Sequence, residues 1–224
     1  MSVKSKRFTL RDAFMEFISH PSPFVLLGIC VSFWTYRASL WEPITLHEGI
    51  TVAAVMMYWP FQEWWMHKYL LHLPPIKMMG REIELDFAEK HRLHHEKPTL
   101  LPLIFLPIGS ILGALVLFSV IAGLIGGWSM AYIAVFMGTA SFSTMLYEWT
   151  HYLTHSRYTP QGSFYKRIWR QHRWHHYKNE HYWYSFTIPH IDSWMNTGPD
   201  VGQVPKSNTA RTLGRTPVGD STTV

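Results

Sequence analysis

Between Lys97 and Glu148 the chain carries no Asp, Glu, Lys, Arg or His over 50 consecutive residues. As helix, at 1.5 Å per residue, such a run extends about 75 Å, roughly twice what a ~30 Å bilayer core requires plus a turn. Gly126-Gly127 sits near its middle, followed by Trp128, a residue type at home at the membrane interface. The pattern predicts a helical hairpin, with one span over about 101–125 and a return over about 128–149. A second apolar pair lies upstream, over about 24–41 and 44–65. Arg37 lies near the end of the first of these, and His47, Glu48, Gln62 and Glu63 lie towards the two ends of the second. Four such stretches in 224 residues are too many to bury in a soluble core.

The predicted fold is therefore all-α and integral to the membrane, with four transmembrane helices in two hairpins. Nineteen of the 20 Lys and Arg residues precede the first span, lie between the second and third, or follow the fourth. Two hairpins that start and end on one side place all of them on that side, which the positive-inside rule identifies as cytoplasmic. Both termini and the polar loops then share the cytoplasmic face. The formal charge of +5 and pI of about 9.3 report topology and not a nucleic-acid partner. Charged residues make up only 16% and Trp is abundant, which fits nucleic-acid binding poorly. A single Cys excludes a disulfide scaffold and any Cys-based metal cage. No cleavable signal peptide with a small-residue cleavage site is expected, and the first span reads as retained. Residues 1–196 read as one domain. Residues 197–224, rich in Thr, Gly, Pro and Ser without an apolar period, read as a disordered tail.

Ten of the 14 histidines fall in four clusters: His67 and His72; His91, His94 and His95; His151 and His155; His172, His175 and His176. Spacings of three and four place side chains on one helical face, so His91, His94 and His95 converge, as do His172, His175 and His176. His151 and His155 are one turn apart. His67 and His72 are five apart, which suits a helix end where the chain bends before Pro74-Pro75. The hairpins bring all four clusters to one membrane face as a histidine-rich cap. Ten imidazoles exceed the needs of one ion, and two ions with about five nitrogens each is the natural count for a di-metal centre. Structural zinc takes four ligands and hydrolytic zinc three plus water. Five nitrogens with a position left open points to a redox metal that binds O2, although these residues alone leave iron and zinc both open. Glu63, Asp86, Glu148 and Asp192 lie near the clusters and are candidates to orient ligand imidazoles. Tyr177 and the stretch Tyr182, Trp183, Tyr184 and Phe186 are candidates to line a substrate site, and the basic, aromatic segment 164–173 is an interfacial helix candidate.

The order HxxxxH, HxxHH, hydrophobic hairpin, HxxxH, HxxHH resembles the fatty acid hydroxylase superfamily of membrane di-metal enzymes. That group includes fatty acid 2-hydroxylases, sterol C4-methyl oxidases, sterol C5-desaturases and carotenoid 3-hydroxylases. The resemblance runs from about Pro60 to Thr197. The approach Tyr147-Glu148-Trp149-Thr150-His151 and on to His155 is similar to the 2-hydroxylase branch, while Glu63-Trp64-Trp65-Met66-His67 is similar to carotenoid 3-hydroxylases. The resemblance implies two iron ions, O2 activation and hydroxylation of a C–H bond in a membrane lipid, a fatty acyl chain first, with oxidation at its 2-position as one form. It assigns His72, His91, His94, His155 and His172 to one metal, and His67, His95, His151, His175 and His176 to the other. Zinc would substitute for iron on the same nitrogens in purified protein. Some 20 residues before the first span are too few for a fused haem domain. The implied electron donor is a separate protein of ferredoxin or cytochrome b5 type, with its reductase. A bacterial inner membrane is the expected location, with the endoplasmic reticulum as the alternative. A carotenoid or sterol hydroxylase or desaturase is the alternative within the superfamily, and a zinc-dependent membrane hydrolase the alternative outside it.

Overall fold

In the computed structural model, residues 8–214 are described. Among them, eight α-helices run in chain order: α1 Leu10–Ile18, α2 Pro21–Ser39, α3 Leu46–Trp65, α4 Asp86–Glu96, α5 Ile108–Ile125, α6 Met130–His155, α7 Ser163–Tyr177 and α8 His190–Trp194. The fold is mainly helical, as expected. It also has a two-stranded antiparallel hairpin, Ile76–Met78 with Arg81–Ile83, which the all-α reading missed. Its two-residue turn, Met79-Gly80, has positive φ at both positions (51° and 75°), as a tight hairpin turn that follows the strand twist requires.

The helix starts are written locally. Thr9 and Asp12 cap α1 reciprocally, the Asp12 N–H donating to Thr9 Oγ1 at 3.2 Å and the Thr9 N–H to Asp12 Oδ2 at 2.9 Å. Thr45 and Glu48 do the same for α3. Pro21 opens α2, where its missing N–H costs nothing. Between α2 and α3, Glu48 accepts from Arg37 Nε at 2.5 Å and Nη2 at 2.9 Å, and the Arg37 guanidinium also donates to the Glu42 and Pro43 carbonyls. Both side chains are buried and every strong group is matched, so this pair ties the loop.

Helix α6 is the central element. It packs on α2, α3 and α5, and Gly138 admits the Trp34 indole so closely that a Cβ there would lie 2.6 Å from Trp34 Nε1. The α5–α6 hairpin turns at Gly126-Gly127, as the sequence predicts. Gly127 has φ 61°, and a Cβ on Gly126 would sit 2.1 Å from the Tyr132 ring. Helix α6 runs on to His155, beyond the expected end near residue 149, so both histidines of the third cluster ride on one continuous helix.

Among the described residues, two helical segments are long and apolar enough to cross a membrane: Leu101–Ile125 and Met130–His155. The pair Leu10–Ile18 and Pro21–Ser39, bent by 79°, makes a third if taken as one span. The expected span 44–65 corresponds to α3, which is not among them: His47, Glu48, Gln62 and Glu63 dilute its apolar character. Only 17% of the most apolar window of the first segment is buried, so Leu112, Val116, Leu117, Val120 and Leu124 turn outwards. An apolar face of that extent belongs against lipid or another protein.

The reading of 197–224 as disordered is corrected over 197–214. Trp183 N–H donates to the Thr197 carbonyl at 2.8 Å, Ser207 N–H donates to the Lys178 carbonyl at 2.7 Å, and Val204 and Ala210 are buried. Lacking periodicity, this stretch folds by draping over the helical cap, a form of order that composition does not register. The remainder of the expected tail, 215–224, lies outside the described residues.

Candidate metal centre

The first two histidines owe their placement to a change of helical pitch. After Trp65 the α3 helix widens into a π-helical turn, Met66–Leu71, with His72 at its end. In an α-helix residues five apart diverge, whereas the i→i+5 pattern of a π turn brings them onto one side. The HxxxxH spacing is thus a pitch change at the end of α3, followed by the expected stop. His91, His94 and His95 come from α4, His151 and His155 from α6, and His172, His175 and His176 from α7, each set on a shared helix face.

All ten predicted histidines meet. One donor nitrogen from each of His67, His72, His91, His95 and His175 forms one group, and His94, His151, His155, His172 and His176 form a second. Within each group these atoms lie within 4.8 Å of one another. The membership differs from that implied by the resemblance, which placed His94 with His91 and His151 with His67. Helix α4 divides its three histidines between the two groups, and α6 gives both of its histidines to one. The groups are adjacent: the His95 and His176 rings stack at 4.1 Å across the boundary.

For nine of the ten, His95 excepted, Nε2 atoms face one another. Separations are 3.1 Å for His67–His91, 3.2 Å for His72–His175, 3.1 Å for His94–His155 and for His94–His151, 2.7 Å for His155–His172 and 3.0 Å for His172–His176. A neutral imidazole has one N–H and one lone pair. His94 and His172 each direct a single Nε2 at two others, so hydrogen bonding within the ring set cannot satisfy all of them. A metal with bonds of about 2.1 Å sets neighbouring nitrogens about 3 Å apart at right angles and about 4 Å apart in trans. The donor set fits one ion per group.

Protonation favours the same outcome. Burial, reinforced by neighbouring imidazoles, holds His67, His72, His91, His94, His95, His172, His175 and His176 well below the ordinary histidine range. The rings are neutral at pH 7 and present lone pairs. Three tautomers are fixed by geometry. His67 Nδ1 lies 2.6 Å from the Tyr184 carbonyl, His175 Nδ1 2.7 Å from that of Tyr182, and His95 Nδ1 2.8 Å from that of Ala210. A carbonyl can only accept, so each Nδ1 carries the proton and each Nε2 is a free donor to metal. All three belong to the first group. In the second, the Nδ1 atoms of His94, His172 and His176 are buried without a hydrogen-bond partner among the described residues.

None of the four candidate carboxylates bonds a ring. Glu63 Oε1 accepts from Phe186 N–H (3.3 Å), Thr187 N–H (2.7 Å) and Thr187 Oγ1 (2.6 Å). Glu148 accepts from Ser22 Oγ and from Leu106 N–H at 2.7 Å, which ties α6 to α2 and to the approach to α5. Asp86 is exposed and pairs with Lys90 at 2.8 Å. Asp192 acts at one remove, receiving Tyr184 and Ser185 N–H, both at 2.9 Å, and so steadying the segment whose carbonyl holds His67. The ring-orienting groups are backbone carbonyls, which sequence composition does not mark.

The aromatic stretch also plays a different part from the one expected. Trp183, with φ 58° and fully buried, inverts the chain so that the carbonyls on either side of it both reach the first group. Tyr177 lies on the outer side of α7 between Arg173 and Arg211. Phe186 is buried among His67, His151 and His172, with centroids at 4.6, 4.7 and 4.8 Å. None of Tyr177, Tyr182, Trp183, Tyr184 or Phe186 lines the apolar cavity between the helices. That cavity holds about 920 Å³ of empty space, its open mouth included, among α2, α3, α5 and α6. Leu26, Trp59, Ala114, Phe118, Met137 and Ala140 form much of its apolar wall, and Glu63, Met66 and Tyr147 lie at the histidine end. Along α6 it extends from Met137 to Tyr147, about 15 Å at the helical rise. Tyr147, which sequence reasoning had not singled out as a lining residue, sits one turn before His151. It stacks on that ring at 5.8 Å and meets Phe186 edge-on at 5.0 Å.

The other four histidines stand apart from both groups. His20 stacks on Phe105 at 4.3 Å, His47 on Tyr132 at 4.8 Å, His190 meets Arg167, and His181 is exposed beside Glu180.

Residues 52–197 match the family model described as fatty acid hydroxylase. Among solved structures, the chain is similar to one described as full-length scs7p with only the hydroxylase domain visible. The TM-score is 0.67 at 19% identity, over 83% of this chain and 68% of that one. No curated protein sequence matches the chain.

Proposed function

The chain belongs to the fatty acid hydroxylase family, and from that premise we propose that it is an O2-dependent di-iron hydroxylase of membrane lipids, acting on a fatty acyl chain, with the 2-position as one site of oxidation. The observations that carry this reading are the two groups of five imidazoles and the apolar cavity whose Tyr147 wall stacks on His151. The ten histidines are the proposed ligands, five to each metal in the groups described above. A bound pair of iron ions supplies O2 activation and removal of hydrogen from a C–H bond, chemistry that the side chains themselves lack.

The protein's part is to bind, orient and exclude water. An acyl chain lies along α6 with its apolar length against Leu26, Trp59, Ala114 and Phe118, an environment that favours burial at about 25 cal/mol per Å². Tyr147 walls the histidine end, with Phe186 packed behind it against the rings, so only a carbon brought to that end comes close to them. Glu63 locks the Phe186–Thr187 turn that backs Tyr147. Hydroxylation consumes O2, two electrons and two protons for each hydroxyl formed and releases one water. The electrons come from a separate carrier of ferredoxin or cytochrome b5 type and its reductase. We place the protein as a multi-pass membrane protein of four spans, α3 included, in a bacterial inner membrane. The histidine-rich cap and both termini then face the cytoplasm.

Lipid mass spectrometry of a host expressing the wild type beside His94→Ala tests the reaction. An added oxygen on acyl chains, present with the wild type and absent with the variant, is the expected result. Loss of two hydrogens would instead indicate a desaturase, altered carotenoids or sterols would reassign the substrate, and unchanged activity in His94→Ala would remove the proposed ligand set.

A further inference from the structure

The family match ends at residue 197, yet the chain beyond it reaches the metal centre. Residues 205–214 cross the outer face of the cap. Ala210 is buried, and its carbonyl takes the His95 Nδ1 proton at 2.8 Å. The next residue fastens that contact from the other side: Arg211 Nε donates to the His95 carbonyl at 3.0 Å and Nη2 to the Glu96 carbonyl at 2.5 Å. These are among the last carbonyls of α4, which lack partners within the helix and favour a cation. A second anchor lies upstream, where Glu180 Oε1 accepts from Ser207 Oγ at 3.0 Å and from Thr209 Oγ1.

We propose that residues 205–214 are a positioning strap for one metal position, the one served by His67, His72, His91, His95 and His175, and not for the other. The inference rests on the reading of the two histidine groups as metal sites. Its physical basis is the tautomer of His95. With Nδ1–H bonded to Ala210, His95 offers Nε2 to its group; with the strap displaced, the ring is free to turn and to exchange tautomers. Hydrogen-bond partners behind a ligand are worth roughly 10–100-fold in metal affinity. The corresponding carbonyls for His67 and His175 come from residues 184 and 182, inside the family-matched region, so the strap governs only one of the three locked rings. The second group receives no hydrogen bond from the strap among the described residues.

The test uses full-length protein, stripped of metal, reloaded with Zn²⁺ and titrated with a competing chelator while bound zinc is counted per chain. The wild type is expected to hold two ions. Arg211→Ala, and separately the double variant Ser207→Ala with Thr209→Ala, should weaken one of the two by 10–100-fold, with Arg211→Lys restoring part of the loss. Lys206→Ala, an exposed change on the strap itself, should leave both unchanged. Selectivity is read in two backgrounds. With His94→Ala, which disables the second group, adding Arg211→Ala should weaken the remaining ion; with His91→Ala, which disables the first, it should do nothing. Co²⁺ in place of Zn²⁺ gives an independent readout, since only the first group's absorption bands should shift in Arg211→Ala. Two ions held with wild-type affinity in both strap variants, or equal weakening of both ions, would overturn the strap. A wild type holding no zinc, or single-histidine variants that lose none, would instead overturn the metal reading beneath it.

Discussion

Trp183 shows how two local costs are weighed at one residue. A non-glycine residue at φ 58° costs about 1–2 kcal/mol. The indole is fully buried, and truncating a buried Trp costs about 3–5 kcal/mol. Packing wins, so Trp183→Ala should destabilise the protein by about 3–5 kcal/mol. Trp183→Gly, which keeps the packing loss and relieves the backbone, should be less destabilised than Trp183→Ala by about 1 kcal/mol in detergent unfolding titrations. Glu63 makes a similar contrast. Glu63→Gln keeps an oxygen for Phe186 and Thr187 and should cost little, whereas Glu63→Ala strands one buried and one partly buried N–H group and should cost about 2 kcal/mol. The buried imidazoles also set a pH dependence. Their folded pKa values are depressed by burial, so below the ordinary value of about 6.5 the unfolded chain takes up protons that the fold refuses. Stability of the metal-free protein should be flat above about pH 7 and fall as pH drops through 6.5 towards the folded values. Thermal unfolding between pH 7.5 and 5 reads this, and metal retention should fall over the same range. At this scale the ten clustered histidines were legible because residue type and spacing carry the signal together. Their supports were not: Tyr182, Tyr184 and Ala210 act through main-chain oxygens, which every residue has, and so the carboxylates at 63, 86, 148 and 192 drew attention that only Asp192 partly merits.

Among the elements, the π turn at Met66–Leu71 makes the sharpest prediction. Deleting Leu70 would let this segment close as ordinary α-helix, with every later residue rotated by about 100°. His72 would leave its group while His67 stayed, and the expected readout is loss of one bound ion with helicity retained by circular dichroism. The α5–α6 turn separates two roles of glycine. Gly126→Ala forces a Cβ into the Tyr132 ring and should cost about 1–3 kcal/mol, whereas Gly127→Ala meets open space and pays only for its positive φ, about 1 kcal/mol. This hairpin was readable in advance because an uncharged run of that length has few other solutions. The β-hairpin was not, since Gly80 is its only strong local cue and its strands are three residues each. The π turn left a trace as the awkward five-residue spacing, whose cause required the backbone.

At the scale of the whole molecule, helices bound an apolar slot closed at one end by Glu63, Met66 and Tyr147, beyond which the imidazoles lie. The slot was invisible to motif reasoning because its wall is ordinary apolar sequence on four helices, indistinguishable residue by residue from lipid-facing surface. Narrowing it should alter which chains fit and leave the metals untouched. Ala114→Phe, part-way along the wall, is expected to shift products towards shorter acyl chains, read by lipid mass spectrometry, with unchanged metal content. The strap adds a consequence in time. His95 and Ala210 are 115 residues apart in sequence. Translation proceeds at about 5–20 residues per second, so the 34 residues from His176 to Ala210 take roughly 2–7 s to appear after the last ligand has been made. For that interval a nascent chain possesses all ten imidazoles but not the carbonyl that accepts from His95, so on the strap proposal the group containing His95 is the last to gain its supports.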